Sequence, residues 1–165
     1  MAKSPGAGRR IEEEQWLQST RSPRVIPYLS VDGAAAALEF YGRVFGATER
    51  MRMNAPDGKI GHAELEFGDS VVMLADTFPD MGGKCPKEIG GTPVTVMVYV
   101  EDVDACFQRA LDNGATEKVK VQDQFYGDRS GSFEDPFGHV WHVASHVEDV
   151  PPEEMGRRAA AAMGG

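Results

Sequence analysis

Gly46-Ala47-Thr48-Glu49 and Gly114-Ala115-Thr116-Glu117 are the same four residues, 68 positions apart. A second match follows each block: Glu64, Phe67 and Gly68 recur as Glu134, Phe137 and Gly138, 70 positions apart. Two matches at nearly one offset mark an internal duplication rather than a chance tetrapeptide. Residues 78–92, between the copies, are rich in Gly and Pro and suit a linker.

Working outward from each block gives the same order of elements. In the first copy, residues 25–31 read as an apolar strand. Residues 33–45 read as a helix with Ala36, Leu38, Phe40, Tyr41 and Phe45 on or near one face. Gly46 ends that helix, because glycine accepts the left-handed cap. Strands follow at 48–53, 59–67 and 70–76, with tight turns at 54–58 and at Gly68-Asp69. The second copy repeats the series: strand 94–100, helix 103–113, cap Gly114, then strands 117–121, 131–134 and 140–146. Its last turn is Asp135-Pro136-Phe137-Gly138. The order is β-α-β-β-β twice, an α+β fold. The expected organisation is an extension at 1–23, module one at 24–77, the linker, module two at 93–150, and a helical tail at 151–165. The extension holds one short helical stretch, 11–18, around Trp16. Proline followed by Glu153 and Glu154 starts the tail helix, with acids at the positive end of its dipole.

Alternation assigns the faces of the strands. Val94, Val96, Val98 and Val100 form one uniformly apolar set, the side a helix covers, leaving Thr95, Met97 and Tyr99 opposite. Ala63, Leu65 and Phe67 likewise oppose His62, Glu64 and Glu66. In the last strand Trp141 and Val143 oppose Val140, His142, Ala144 and His146. Each sheet therefore has an apolar face and a mixed face. Mixed faces curling towards each other would line a cleft, the natural place for a ligand.

Composition narrows the function. Hydrophobic residues make up 41% of the 165, charged residues 26%, and the formal net charge is −9. That sign repels phosphate backbones and anionic membranes, so nucleic acid and lipid are not expected partners. No apolar run approaches the roughly 20 residues of a membrane span, and the N-terminus lacks a signal-peptide core. Cys85 and Cys106 match no zinc or redox spacing. The expected compartment is the cytoplasm.

The doubled element order, the strand Val25-Ile26-Pro27-Tyr28-Leu29-Ser30-Val31 leading to Phe40-Tyr41, and Asp135-Pro136-Phe137-Gly138-His139 before the final strand resemble the vicinal oxygen chelate superfamily. That group holds glyoxalase I, extradiol dioxygenases, and fosfomycin- and bleomycin-resistance proteins. Gly127-Asp128-Arg129-Ser130-Gly131 and His146-Val147-Glu148-Asp149-Val150 are most similar to its PhnB-like branch. The resemblance covers residues 24–158. It implies two modules curved around a cleft, a homodimer with modules exchangeable between chains, and a divalent metal held by the first and last strand of each module.

Carried over, the family's first-strand ligand positions fall at or near Ile26 and Thr95, and its last-strand positions, four residues after the turn glycines, at Val72 and His142. Only His142 is a good ligand, whereas a catalytic site takes about three. No metal is therefore expected in the usual position. An alternative divalent site would combine His62, Glu64 and His142, with Glu134 repeating Glu64; the same groups could act as an acid–base set or stand solvated at the cleft rim. Tyr28, Tyr99 and Tyr126 are expected to line the cleft, while Trp141 and Phe133 belong to the core. Arg129 could anchor an anionic group or form an ordinary ion pair with its neighbours. His139 is expected to be a structural hydrogen-bonder and His146 to be exposed. The favoured function is small-molecule binding of the bleomycin-resistance type without the metal. The alternative is a metal-dependent glyoxalase-like lyase or isomerase, or a dioxygenase, acting on a small oxygenated substrate.

Overall fold

The computed structural model describes residues 23–164; the short helix expected at 11–18 lies outside them. The first module runs β1 (Tyr28–Val31), α1 (Ala34–Phe45), β2 (Thr48–Asn54), β3 (Ile60–Phe67) and β4 (Ser70–Asp76). A 3-10 turn at Pro79–Met81 and the short α2 (Pro86–Ile89) form the connection. The second module runs β5 (Thr95–Tyr99), α3 (Val103–Asp112), β6 (Thr116–Asp123), β7 (Asp128–Glu134) and β8 (Val140–His146), and α4 (Pro152–Met163) follows. The chain forms two four-stranded sheets of one topology, β1-β4-β3-β2 and β5-β8-β7-β6. In each, the first strand runs parallel to the last and the other pairs are antiparallel. None of the described helices is long and apolar enough to cross a membrane.

Some boundaries differ from expectation for local reasons. β1 starts at Tyr28 rather than at 25 because Pro27 has no N–H; its carbonyl still accepts from Met73 N. Val94 lies outside β5 and is 62% exposed, held in a turn by Thr92 Oγ1. β7 starts three residues earlier, at Asp128, because the turn at Gly127 closes a hairpin with β6. Asp128 and Arg129, read as loop, are strand residues.

The duplication extends to how each helix is capped. Asp76, at the end of β4, accepts the N–H of Gly33 (2.9 Å) and Ala34 (2.8 Å) at the start of α1, and of Ile60 (2.8 Å). Ser145, in the equivalent place on β8, accepts the N–H of Val103 at the start of α3 (2.9 Å) and donates to Val100 O (2.7 Å). In both modules the last strand satisfies a donor that the helix leaves open.

Both modules bury their helix-covered faces in one core. Tyr41 and Val44 of α1, Leu65 and Leu74 of the first sheet, and Phe133, Trp141 and Val143 of the second sheet belong to a single cluster. Trp141 is fully buried, with ring centroids 5.1 Å from Tyr41, 4.9 Å from Phe45 and 5.8 Å from Phe67. Buried Asp135 joins the modules: it accepts Tyr41 OH (2.7 Å), Trp141 Nε1–H (2.8 Å) and the N–H groups of Phe137 and His139 (2.9 Å each). The Val44 carbonyl takes two bonds from Arg109, and His139 Nε2 lies 3.0 Å from Ser30 O. His139 is the structural hydrogen-bonder its position implies. Since the helix-covered faces share the core, the two mixed faces lie on opposite sides of it. Among the described residues, no hydrogen bond or ion pair joins one mixed face to the other.

Candidate functional site

On the open face of the first sheet, the strand register places Met51, Glu64, Met73 and Tyr28 in one row, with Met53 and His62 in the next. Tyr28 OH is 2.8 Å from His62 Nδ1, and His62 Nε2 is 3.3 Å from Glu64 Oε1. A carboxylate only accepts, so Nε2 carries the hydrogen; in the neutral imidazole Nδ1 then turns its lone pair to the Tyr28 hydroxyl. Arg50 closes the row, 3.7 Å from Glu64 and 3.4 Å from Glu66. The His62 and Glu64 side chains are largely covered, at 21% and 16% exposed, whereas Tyr28 is half exposed. Burial pushes the Tyr28 hydroxyl above its ordinary pKa.

The open face of the second sheet carries Ser132, His142 and Met97 in one row and Ser130, Ala144 and Tyr99 in the next. At its end Tyr99 OH donates to Asp128 (2.7 Å). His146 bridges Asp128 through Nδ1 (2.9 Å) and Asp149 through Nε2 (2.8 Å). Two carboxylate partners favour the charged form of His146 and raise its pKa, Asp128 contributing most. For Asp128 itself burial pulls upward, but the bonds from His146 and Tyr99 outweigh it and lower the carboxyl. The bond to Asp128 raises Tyr99. The Ser130 hydroxyl is buried without a hydrogen-bond partner among the described residues. His142 is half-buried and has no bonded partner among the described residues.

Of the sequence-derived site residues, Tyr28, His62 and Glu64 come together, and Tyr99, Glu134 and His142 share the other open face. Tyr126 is half-buried in the β6–β7 loop, edge-on to Phe125. Glu134 pairs with Lys118 at 3.1 Å. Arg129 projects to the helix side, where Asp104 (2.7 and 2.8 Å) and Asp123 (3.0 Å) hold it, so it is an ion-pair residue. The duplication explains the carboxylate pairs. β2 slips between Glu49 and Met51, and β6 between Glu117 and Val119. Each bulge holds one basic residue, Arg50 or Lys118, which reaches the repeat-equivalent Glu64 or Glu134. The Asp128–His146 pair was missed in the sequence. Alternation had put His146 on the open face, but its partner was read as loop.

The expected metal positions need a correction. Strand pairing aligns Tyr28 with Met97 and Met73 with His142, each 69 residues apart. Val72, reached by counting from the turn glycine, is one residue out of step and lies in the buried core. A one-residue slip exchanges the faces of a strand. The four open-face positions on the first and last strands of the two modules are thus a phenol, two thioethers and one imidazole, a set that does not fit a borderline divalent ion. The alternative set of His62, Glu64 and His142 is split between open faces on opposite sides of the core. Among the described residues no three His, Cys, Asp or Glu side chains gather to hold a metal.

The model of the Glyoxalase/Bleomycin resistance protein/Dioxygenase superfamily matches residues 23–143. The chain belongs to this superfamily. An uncharacterized protein of Mycobacterium bovis is 48% identical over 136 residues, covering 81% of this chain and 90% of that protein. Among solved structures, TioX of a Micromonospora species is 32% identical with a TM-score of 0.59, covering 76% of this chain and 100% of that one. The fosfomycin resistance protein FosX of Listeria monocytogenes, solved with Mn(II) and sulfate, shares the fold. It is 18% identical, with a TM-score of 0.58, covering 84% of this chain and 98% of that one. Two β-α-β-β-β modules are the superfamily's architecture as this chain carries it.

Proposed function

We propose that this superfamily member binds a small molecule between two open sheet faces, the first sheet of one protomer and the second sheet of its partner. The site forms in a cytoplasmic homodimer of the PhnB-like branch and does not use the family's usual metal set. The observation that carries this reading is the make-up of the open faces. Each keeps a hydrogen-bonded polar cluster among exposed sulfur and aromatic groups: Met51, Met53 and Tyr28 on one, Met97 and Tyr99 on the other. Exposed apolar groups around a few convergent polar ones are what a ligand site presents. In a single chain these faces lie on opposite sides of the core, so a cleft between them needs a second copy. Among the described strands, β1 and β5 are sheet edges, each with one side left unpaired. Beside β5, against the segment that precedes β1 and the start of β4, opens a cavity of about 390 Å³ lined by Val25, Pro27, Val71, Val96, Met97 and Tyr99. Such edges are where a two-fold partner can dock.

The metal-dependent reading, a glyoxalase-like lyase or isomerase or a dioxygenase, is separated by solution mass and elemental analysis of protein purified without chelator. The expected result is twice the 17.9 kDa chain mass at micromolar concentration, with no stoichiometric divalent ion. A monomer would remove the two-copy cleft. One Zn, Ni, Fe or Mn per chain, lost in His142→Ala, would restore the metal enzyme.

A further inference from the structure

We propose that Tyr28, His62 and Glu64 form a proton relay that makes the Tyr28 hydroxyl the acid–base group acting on a small molecule held at the first sheet's open face. The inference rests on the binding site proposed above and adds a proton-transfer role to it.

The geometry is layered as an activated hydroxyl requires. The outermost oxygen, on half-exposed Tyr28, lies 2.8 Å from the imidazole nitrogen that carries the lone pair in the neutral tautomer whose Nε2–H faces Glu64. The other nitrogen of that ring meets a carboxylate that is itself largely covered and held by Arg50. Nucleophile or acid, base, and orienting carboxylate then sit in sequence. Tyr28 is the catalytic group, because its oxygen is the one a ligand can touch. His62 and Glu64 are positioning residues that act through it. When Tyr28 takes a proton from a ligand, its own proton passes to His62 Nδ1. The imidazolium that forms is balanced by Glu64, and the reverse transfer returns the proton. No redox partner is needed.

The other tyrosines provide the contrast. The chain has four. Tyr41 and Tyr99 donate to the carboxylates of Asp135 and Asp128, which oppose ionisation of the phenol. Tyr126 has no hydrogen-bonded base among the described residues. Among the described residues, Tyr28 is the tyrosine whose hydroxyl faces a nitrogen base.

An arylsulfonyl fluoride applied to the full-length protein reads this directly, with sites mapped by mass spectrometry. In that reaction the Tyr28 oxygen bonds to sulfur, the S–F bond breaks, fluoride leaves and the hydroxyl proton passes to His62. Tyr28 should be modified at least about tenfold faster than exposed Tyr99 or Tyr126, a conservative share of what general-base assistance supplies. His62→Ala should slow it at least about tenfold, with an unchanged circular dichroism spectrum, and added imidazole should restore part of the rate. Glu64→Gln should slow it less than His62→Ala does. Equal rates at Tyr28 and Tyr99, an unchanged rate in His62→Ala, or a loss that imidazole does not rescue would each overturn the relay. The labelling needs no natural ligand, so a failed relay and a failed binding site are told apart: a ligand screen that finds nothing does not alter these rates.

Discussion

Asp135→Ala should destabilise the protein by about 3–5 kcal/mol, the cost of removing one member of a buried, hydrogen-bonded charged network. The Asp135 carboxylate is only 4% exposed and accepts four hydrogen bonds. Without it the Tyr41 hydroxyl, the Trp141 indole N–H and two backbone N–H groups lose their acceptor in the core, and buried unpaired donors are costly. Burial, and then Asp135, hold the Tyr41 hydroxyl well above its ordinary pKa, so Tyr41 remains the neutral donor throughout. Tyr41 belongs to one module and Asp135 to the other, so the loss falls on the contact that makes them one unit. Domains of this size have a net stability of about 5–15 kcal/mol, so the variant keeps little reserve. Tyr41→Phe removes one bond and leaves the others, and should cost about 1–2 kcal/mol. Urea unfolding gives both values. Similar small losses for the two variants would mean that Asp135 is not the centre of the module contact.

Gly127→Ala should cost about 2–4 kcal/mol, more than the strain of a left-handed residue alone. Gly127 has φ 99°, and a Cβ there would overlap the Glu148 carbonyl oxygen and press on Val150. The Gly127 carbonyl also accepts the N–H groups of Val147 and Glu148, 2.9 Å each, so the chain leaving β8 is laid directly over this turn. Gly46→Ala is the control. Gly46 has φ 68° with open space where the Cβ would stand, and its substitution should cost about 1–2 kcal/mol from backbone strain alone. Calorimetric unfolding compares the two. The substitution should also disturb the adjoining segment, in which Glu148 holds Arg158 of α4 through two bonds of 2.8 Å and Asp149 meets His146. Faster amide exchange at Val147 and Glu148 would report that loosening. Equal losses at Gly46 and Gly127 would mean that the chain after β8 yields easily.

The duplication was legible because it is written in local chemistry. Glycine caps at Gly46 and Gly114, tight turns, and strands with one apolar face depend only on neighbours in sequence. Alternation therefore sent Trp141 and Phe133 to the core and His62, Glu64 and His142 to the open faces, as the structure has them. Long-range packing was not legible. No pattern within a strand says that the two helix-covered faces share one core, which turns the open faces away from each other and parts His142 from His62. Asp135 sits in a turn whose sequence gives no sign of a bond to Tyr41 in the other module. The one-residue slip that chose Val72 over Met73 arose because offsets of 68 and 70 bracket the true strand register of 69. Only hydrogen-bonded pairing resolves a single residue. Asp128 and His146 escaped notice for a similar reason, since β7 began earlier than its apolar residues suggested.

The central claim is that the open faces of two copies share one ligand, and a thermal-shift screen of metal-free protein against a small-molecule library tests it most directly. A compound that binds only the folded protein raises its Tm. The predicted result is at least one compound whose shift is lost in Met53→Asp, on the first sheet, and also in His142→Ala, on the second, while each variant unfolds cooperatively on its own. Shifts that survive both substitutions, or that depend on one face only, would contradict a site built from the two.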